Sequence, residues 1–498
     1  MTPNLASLVT EAATRNPSAP AFISADRTVT WSELERLVRA VAGGLAARGL
    51  SRGDRVALVI SNSIEFVSSY FGVLRAGLVA VPVNTTYTPY EIGYLIEQSG
   101  AALVLCDRVR EEAVQEAAHD VPLIVVGSAA WRSLTIGSTP PPDVEVGPED
   151  VAVLMFTSGT SGRPKGAMLT HQSLLANLDQ LSAVPAPQVM RSDDVVLVLL
   201  PLFHIYALNA VLGMLARTGA AAVLSGRFDP QEALRLVRRW GVTVVASAPP
   251  VYQAWSRVPE LSSALADVRM LVSGAAPLTS EVFDAFTAAA GQPLWEGYGM
   301  TEASPVIAST VVSGQARAGS VGRPLPGVQI RLCDELGHEV EDGDLGEIWV
   351  KGENLFVGYW PDGADGPDEE GWWPTGDLGF LDSDGQLRLV DRRNDLIIVS
   401  GFNVYPREVE EVLVKVPGIR EVAVMGEPHE STGETVKALV VVRPDADLDA
   451  DAVRIAAREK LARFKCPTIV EFVPALPHSG TGKVSKGALR ERIEGVRE

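Results

Sequence analysis

Short apolar strands alternate with amphipathic helical runs through the first half of this chain, and that rhythm restricts the fold more than any other feature. Thr30 and Glu33 make a capping-box pattern ahead of an amphipathic run that reaches Ala47 and stops near Gly49. Residues 55–60 read as an apolar strand, 64–74 carry helical periodicity, and 78–83 read as another strand. The pattern returns at 242–247 and 268–272, each behind a helical segment. Strands joined through helices pair in parallel, so the expected fold class is α/β, with mainly parallel sheets covered by helices. From about Val328 the texture changes to short strands with Gly/Asp turns, at Asp342, Gly343 and Asp344 and again at Asp384 and Gly385. That predicts a small β-rich subdomain. A last unit begins near 391–395, with helices over 407–414 and 449–462 and strands over 422–425 and 436–442. The predicted architecture is an N-terminal part of residues 1–393 and a small mobile α+β C-terminal domain of residues 394–498.

A chain of 498 residues is too long for one hydrophobic core, which agrees with that division. The formal net charge is -19, from 43 basic and 62 acidic residues. Such a surface does not draw in nucleic acid or anionic lipid, so a phosphate ligand must be held by a local set of donors. Cys106, Cys333 and Cys466 are far apart with no CxxC spacing, and the first 20 residues lack a signal-peptide pattern. A reducing cytoplasm is the expected setting. Residues 195–216 are uncharged and long enough to cross a bilayer, but Pro201, His204 and Asn209 interrupt them. A buried strand over 195–200, a loop and a buried helix fit better, and no transmembrane segment is expected.

The densest cluster of chemistry-bearing residues is Thr157, Ser158, Gly159, Thr160, Ser161, Gly162, Arg163, Pro164, Lys165 and Gly166. Glycines let backbone N–H groups converge without Cβ interference, hydroxyls add donors, and Arg163 and Lys165 add charge. That combination suits a polyphosphate, with a plain Gly/Ser turn as the competing reading. It is not a Walker A loop, because Gly166 follows Lys165 where a hydroxyl would ligate magnesium.

This loop resembles the phosphate loop of the acyl-adenylate-forming superfamily, which includes acyl-CoA synthetases, adenylation domains of peptide synthetases and luciferases. Further motifs of that superfamily follow in order over nearly the whole chain. They are Tyr298, Gly299, Met300, Thr301 and Glu302; Thr375, Gly376 and Asp377; Asp391 to Asp395 with Ser400 to Pro406; and Gly480, Thr481, Gly482 and Lys483. The resemblance is closest to fatty-acid or aryl-acid CoA ligases. It implies ATP-dependent conversion of a carboxylic acid to its acyl-AMP with release of pyrophosphate, then thioester formation with coenzyme A. ATP, Mg²⁺ and coenzyme A are the implied cofactors and co-substrates.

The resemblance also distributes roles. Gly274, Ala275 and Ala276 line one face of adenine and Tyr298 stacks on the other. Thr301 donates to the α-phosphate region, and Glu302 ligates magnesium. Asp377 accepts from both ribose hydroxyls, and Arg392 reaches the ribose or a phosphate. Lys483 carries an ammonium to the charge that builds as the carboxylate attacks phosphorus. Each has a duller alternative: a turn residue for Asp377, a helix-start charge for Glu302, half of an ion pair for Arg392, a solvated loop for Lys483. His204 is either a satisfied core histidine or, by the resemblance, a residue that positions the carboxylate at the mouth of the acyl pocket. His171 reads as a helix-start residue.

The implied acyl pocket is walled by His204, Tyr206, Ala207, Ala210, Ala246, Ser247, Gly297, Ser304 and Pro305, mostly small or apolar, which suits a fatty or aryl tail. Residues 203–206 offer no carboxylate to pair with an ammonium, so an amino acid is disfavoured. Gly401 and Phe402 resemble the lining of a pantetheine channel, and Asn394 the hinge about which the C-terminal domain turns between half-reactions. An amine, a carrier protein or another nucleophile stays open as the acceptor. A non-catalytic nucleotide-binding protein is the alternative of another class, and the oligomeric state stays open, a homodimer being one option.

Overall fold

The computed structural model describes residues 4–118, 120–135, 144–147, 149–157, 164–341, 343–399, 402–429, 432–444, 446, 448–478, 484–486 and 488–489, with the side chains of Arg392 and Asn394 not described. The described residues fall into two compact units, one drawn from residues 1–159, 163–329 and 351–373, the other from 330–350 and 374–498.

The first unit holds two sheets. One has six strands in the order Leu123–Val125, Leu103–Cys106, Arg55–Val59, Val79–Pro82, Val151–Thr157 and Lys165–Thr170, parallel except for the last pair. The other has nine strands, parallel through Trp295–Gly299, Met270–Ser273, Val244–Ser247, Val195–Val198, Ala221–Leu224 and Pro20–Ile23. Antiparallel strands close both of its ends. The parallel pairing expected from the alternation is present in both. Burial follows from it: Ala57, Val81 and Val104 fill one core, while Leu197, Val245, Leu271, Tyr252 and Trp255 fill another.

Local chemistry fixes the element boundaries. Thr30 caps the helix Trp31–Ala46 by accepting from Glu33 N, and the Glu33 carboxylate accepts in return from Thr30 N. Gly49, two residues past the Ala47 cap, has φ +80°, which a side chain would oppose. The apolar stretch around His204 begins as the strand Val195–Val198 and resumes as helix from Tyr206. Its first turns, Tyr206–Gly213, are wound as a π-helix, wider than the helix expected there. Asn209 holds that winding through bonds from Nδ2 to Leu174 O (3.0 Å) and Ser304 O (2.7 Å). Among the described residues no helix is long and apolar enough to cross a membrane.

The second unit contains most of a four-stranded sheet in the order Gln329–Cys333, Gly346–Lys351, Trp372–Leu381 and Leu387–Arg392, the β-rich piece expected after Val328. A five-stranded sheet follows, built on the long pair Ile419–His429 and Gly433–Val442. The helices Pro406–Leu413 and Ala450–Arg458 bury Val409, Leu413, Val453 and Ala457 against it. Asp449 caps the second of these by accepting from Ala452 N at 2.8 Å.

Thr30→Ala removes the hydroxyl that satisfies Glu33 N. It is expected to destabilise the first unit by about 1 kcal/mol, read as a lower denaturant midpoint with faster amide exchange in the first turn of the helix. Unchanged exchange there would show that the cap contributes nothing.

Candidate active site

Most of the candidate residues in the first unit leave the carboxyl ends of parallel strands in the nine-stranded sheet. The loop carrying His204 follows Val195–Val198, Ala246 and Ser247 end Val244–Ser247, Gly274 to Ala276 follow Met270–Ser273, and Thr301 and Glu302 follow Trp295–Gly299. The strand order also reverses at Val195–Val198: the next strand in sequence lies on one side of it and the one after on the other. Ligands of open α/β sheets bind outside the carboxyl ends at such a reversal.

The backbone at this edge is unusual. Ala275 (φ 67°) and Ser304 (φ 63°) hold left-handed conformations that β-carbons disfavour. At Gly299 an added Cβ would sit 2.1 Å from Pro305 O, so only glycine lets the turn that carries Thr301 and Glu302 fold back on itself. Amides behind the turn fix it: Asn354 Nδ2 donates to Ala303 O (2.7 Å), Gln180 Nε2 to Asn354 Oδ1 (3.1 Å), and Asn177 Nδ2 to Val306 O (2.8 Å). Asn177 and Asn354 are fully buried, so each bond they make counts.

Lys165 begins the strand that follows residues 158–164, in register with Thr157 on the strand before them. The segment 356–360 then ties that strand to the Thr301–Glu302 turn. Trp360 N donates to Gly166 O (2.8 Å), Met168 N to Gly358 O (3.1 Å), and Phe356 N to Glu302 O (2.8 Å). Tyr359 Oη donates to Glu302 Oε1 at 2.7 Å, and Lys165 Nζ lies 5.1 Å from the Tyr359 ring centroid and 2.9 Å from Asp365 Oδ2. The sequence reading brought Lys165 and Glu302 into one function but missed Tyr359, Asp365 and the amides. A tyrosine in a Gly- and Pro-rich stretch carries no signal by itself, since only long-range strand pairing gives it a role.

Glu302 is buried, and among the described residues no group of three or more His, Cys, Asp or Glu could hold a metal. One buried carboxylate fits Mg²⁺ arriving on a polyphosphate, because that ion keeps most of its water and phosphate ligands. It does not fit a metal caged by protein alone.

Around the acyl candidates, Tyr206 packs its ring over Gly274, where an added Cβ would meet Tyr206 Cε1 at 3.1 Å. Gly274 is therefore small for the tyrosine's sake as well as for the adenine it was assigned. Tyr206 Oη, Ser247 Oγ and His204 Nε2 are buried and have no hydrogen-bond partner among the described residues. Ser304 Oγ donates to Ser173 Oγ at 3.2 Å in a buried pair. At Gly297 an added Cβ would meet only Ala308 O, at 3.8 Å, so the position has room. Ala207, Ala210 and Pro305 are buried, with Ala246 half-buried. Burial lowers the His204 pKa to about 4, which leaves the ring neutral at ordinary pH. His171 follows the Thr170 cap at the start of its helix, as expected, and its Nδ1 accepts from Leu5 N at 3.1 Å. Its pKa is also lowered to about 4 by burial.

In the second unit, Asp377 and Arg392 are Cα partners on adjacent antiparallel strands, so the two residues assigned to ribose stand side by side. Phe402 is exposed and stacks on Phe464 at 4.9 Å. Asn394 lies in the single turn Arg393–Asp395. Ser158, Gly159, Thr160, Ser161, Gly162, Gly401 and Lys483 lie outside the described residues.

A family model described as AMP-binding enzyme matches residues 9–360, and one described as AMP-binding enzyme C-terminal domain matches residues 408–483. The chain belongs to the AMP-binding enzyme family. This AMP-binding enzyme is 34% identical to a long-chain-fatty-acid–CoA ligase of Salmonella typhimurium, over 99% of this chain and 95% of the relative. It is 36% identical to a feruloyl-CoA synthase of an Amycolatopsis species, over 96% of each. Among solved structures, ATP-bound MatB from Rhodopseudomonas palustris superposes with a TM-score of 0.92 at 34% identity, covering 100% of both chains. The fold is thus that of the acyl-adenylate-forming superfamily.

His171, which is buried, and His204, whose Nε2 is buried, give this AMP-binding enzyme a pH signature. Each is neutral when folded and titrates near 4, whereas an unfolded histidine titrates near ~6.5. Between those values the unfolded chain binds more protons, so stability falls as pH is lowered through the window. His204→Asn is expected to remove its share of that slope, measured as denaturant midpoint against pH. A slope identical to wild type would contradict the assigned burial of the imidazole.

Proposed function

We propose that this protein activates a carboxylic acid with ATP, releasing pyrophosphate and forming acyl-AMP, and then forms a thioester with coenzyme A. The observation that carries this reading is the placement of Lys165 and Glu302 on either side of Tyr359, next to the turn that presents Thr301. A carboxylate attacking the α-phosphorus of an anionic triphosphate, with pyrophosphate leaving, needs the negative charge neutralised at fixed points. When bound, Mg²⁺ supplies part of that neutralisation through Glu302. Lys165 and the donors of residues 157–162 hold the polyphosphate, and Thr301 donates near the α-phosphate. Asp377 and Arg392 take the ribose, with Gly274, Ala275, Ala276 and Tyr298 enclosing adenine. His204 stays neutral and orients the acid as a hydrogen-bonding ring. It has no base work to do, since the acid is already ionised at neutral pH.

The acid is a fatty or aryl acid. Within that class the buried hydroxyls of Tyr206 and Ser247, without a partner among the described residues, favour an aryl acid with a polar substituent, which would satisfy groups that are costly to leave unpaired. Similarity to both a long-chain and a feruloyl ligase supports the class. For the second half-reaction, Gly401 and Phe402 line the path of the pantetheine arm, and residues 394–498 form the domain that carries them with Lys483.

The roles separate in one experiment. Lys483→Ala is expected to lower acyl-AMP formation, read as pyrophosphate release from acid and ATP, by at least about a hundredfold. Thioester formation from synthetic acyl-AMP and coenzyme A should stay within about twofold of wild type. Equal loss of both half-reactions in a folded variant would remove Lys483 from its assigned step.

A further inference from the structure

Tyr359 touches both charged groups assigned to the triphosphate, through two different parts of one side chain. Its hydroxyl donates to Glu302 Oε1 at 2.7 Å, and its ring centroid lies 5.1 Å from Lys165 Nζ. The side chain is itself anchored. Phe356 packs edge-on against its ring at 5.0 Å, and Trp373 packs against Phe356 in the same way at 5.2 Å. The backbone is pinned by Tyr359 N donating to Ala364 O (2.9 Å) and Gly363 N donating to Tyr359 O (2.8 Å). Phe356 N, three residues back, holds the carbonyl of Glu302 itself. A buried carboxylate needs its orientation fixed by a donor before it can offer an oxygen in a set direction. The ring contact itself takes none of the ammonium's N–H groups, one of which Asp365 accepts at 2.9 Å, leaving two to reach a phosphate.

We infer that Tyr359 is a positioning residue that sets the separation and orientation of the Glu302 carboxylate and the Lys165 ammonium for MgATP. Its hydroxyl acts on the metal side and its ring on the phosphate side. This rests on the reading of Glu302 as the carboxylate that meets magnesium. Packing alone could account for the ring, but it does not account for the hydroxyl bond, so the two contributions can be separated.

The test uses calorimetric ATP binding to the full chain, across a magnesium titration and in EDTA. Tyr359→Phe keeps the ring and the aromatic stack and loses only the donor. The magnesium concentration that half-maximally tightens ATP is expected to rise about tenfold, with ATP affinity in EDTA and the melting temperature unchanged. Tyr359→Leu removes the ring as well and is expected to weaken ATP in EDTA too. If Tyr359→Phe has the wild-type magnesium midpoint, or weakens ATP equally with and without magnesium, the inference is overturned. Should the leucine variant fail to fold, the phenylalanine variant still decides the role of the hydroxyl. Should wild type bind ATP with no response to magnesium, the assignment of Glu302 falls and takes the inference with it. That outcome is visible before any variant is measured.

Discussion

The backbone bonds of residues 356–360 are what the proposed phosphate chemistry depends on. They join the strand after the phosphate loop, through Gly166 and Met168, to the turn after Trp295–Gly299, through the Glu302 carbonyl. A strand of one sheet and a turn of the other therefore have a fixed separation before any ligand arrives. Preorganisation of this kind matters for an anion attacking an anion, because charges that must be gathered during the reaction raise the barrier. The buried amides of Asn177, Gln180 and Asn354 stiffen the same turn from behind, and Gly299 lets it close.

The global charge makes local placement more important. At -19 the protein repels polyphosphate at long range. Lys165 is held in the first unit by Asp365 and the Tyr359 ring, so its charge stays at the site even though the side chain is partly exposed. Burial acts in the opposite sense on the acyl side. It keeps His204 neutral and the Tyr206 phenol protonated, so the groups proposed to face the acid are dipoles rather than charges. A carboxylate can then be oriented there without being trapped in an ion pair.

Much of this was legible in the sequence. The strand–helix alternation predicted the parallel sheets, and Thr30 with Glu33 predicted a helix start to the residue. Gly, Ser and Thr spacing around Lys165 pointed to phosphate because few other ligands need that mixture. The rest depends on contacts between residues distant in sequence. Ser304 read as a pocket wall, and the fold adds a bond from its hydroxyl to Ser173. Gly274 read as an adenine wall, and only the packing shows Tyr206 lying over it. The apolar run after His204 read as helix, but the bonds from Asn209 to Leu174 and Ser304 that accompany its π-winding span two other elements. Tyr359 was silent for the same reason.

The account stands on cleavage of ATP at the α-phosphorus by a carboxylic acid. The most direct measurement is a screen of fatty and hydroxylated aryl acids with ATP and magnesium, with and without coenzyme A, in which every nucleotide and acyl product is identified by mass. The account predicts AMP and pyrophosphate in equal amounts, acyl-AMP bound to the protein when coenzyme A is left out, and acyl-CoA when it is added. ADP and inorganic phosphate as the nucleotide products, or no ATP turnover with any acid, would contradict it.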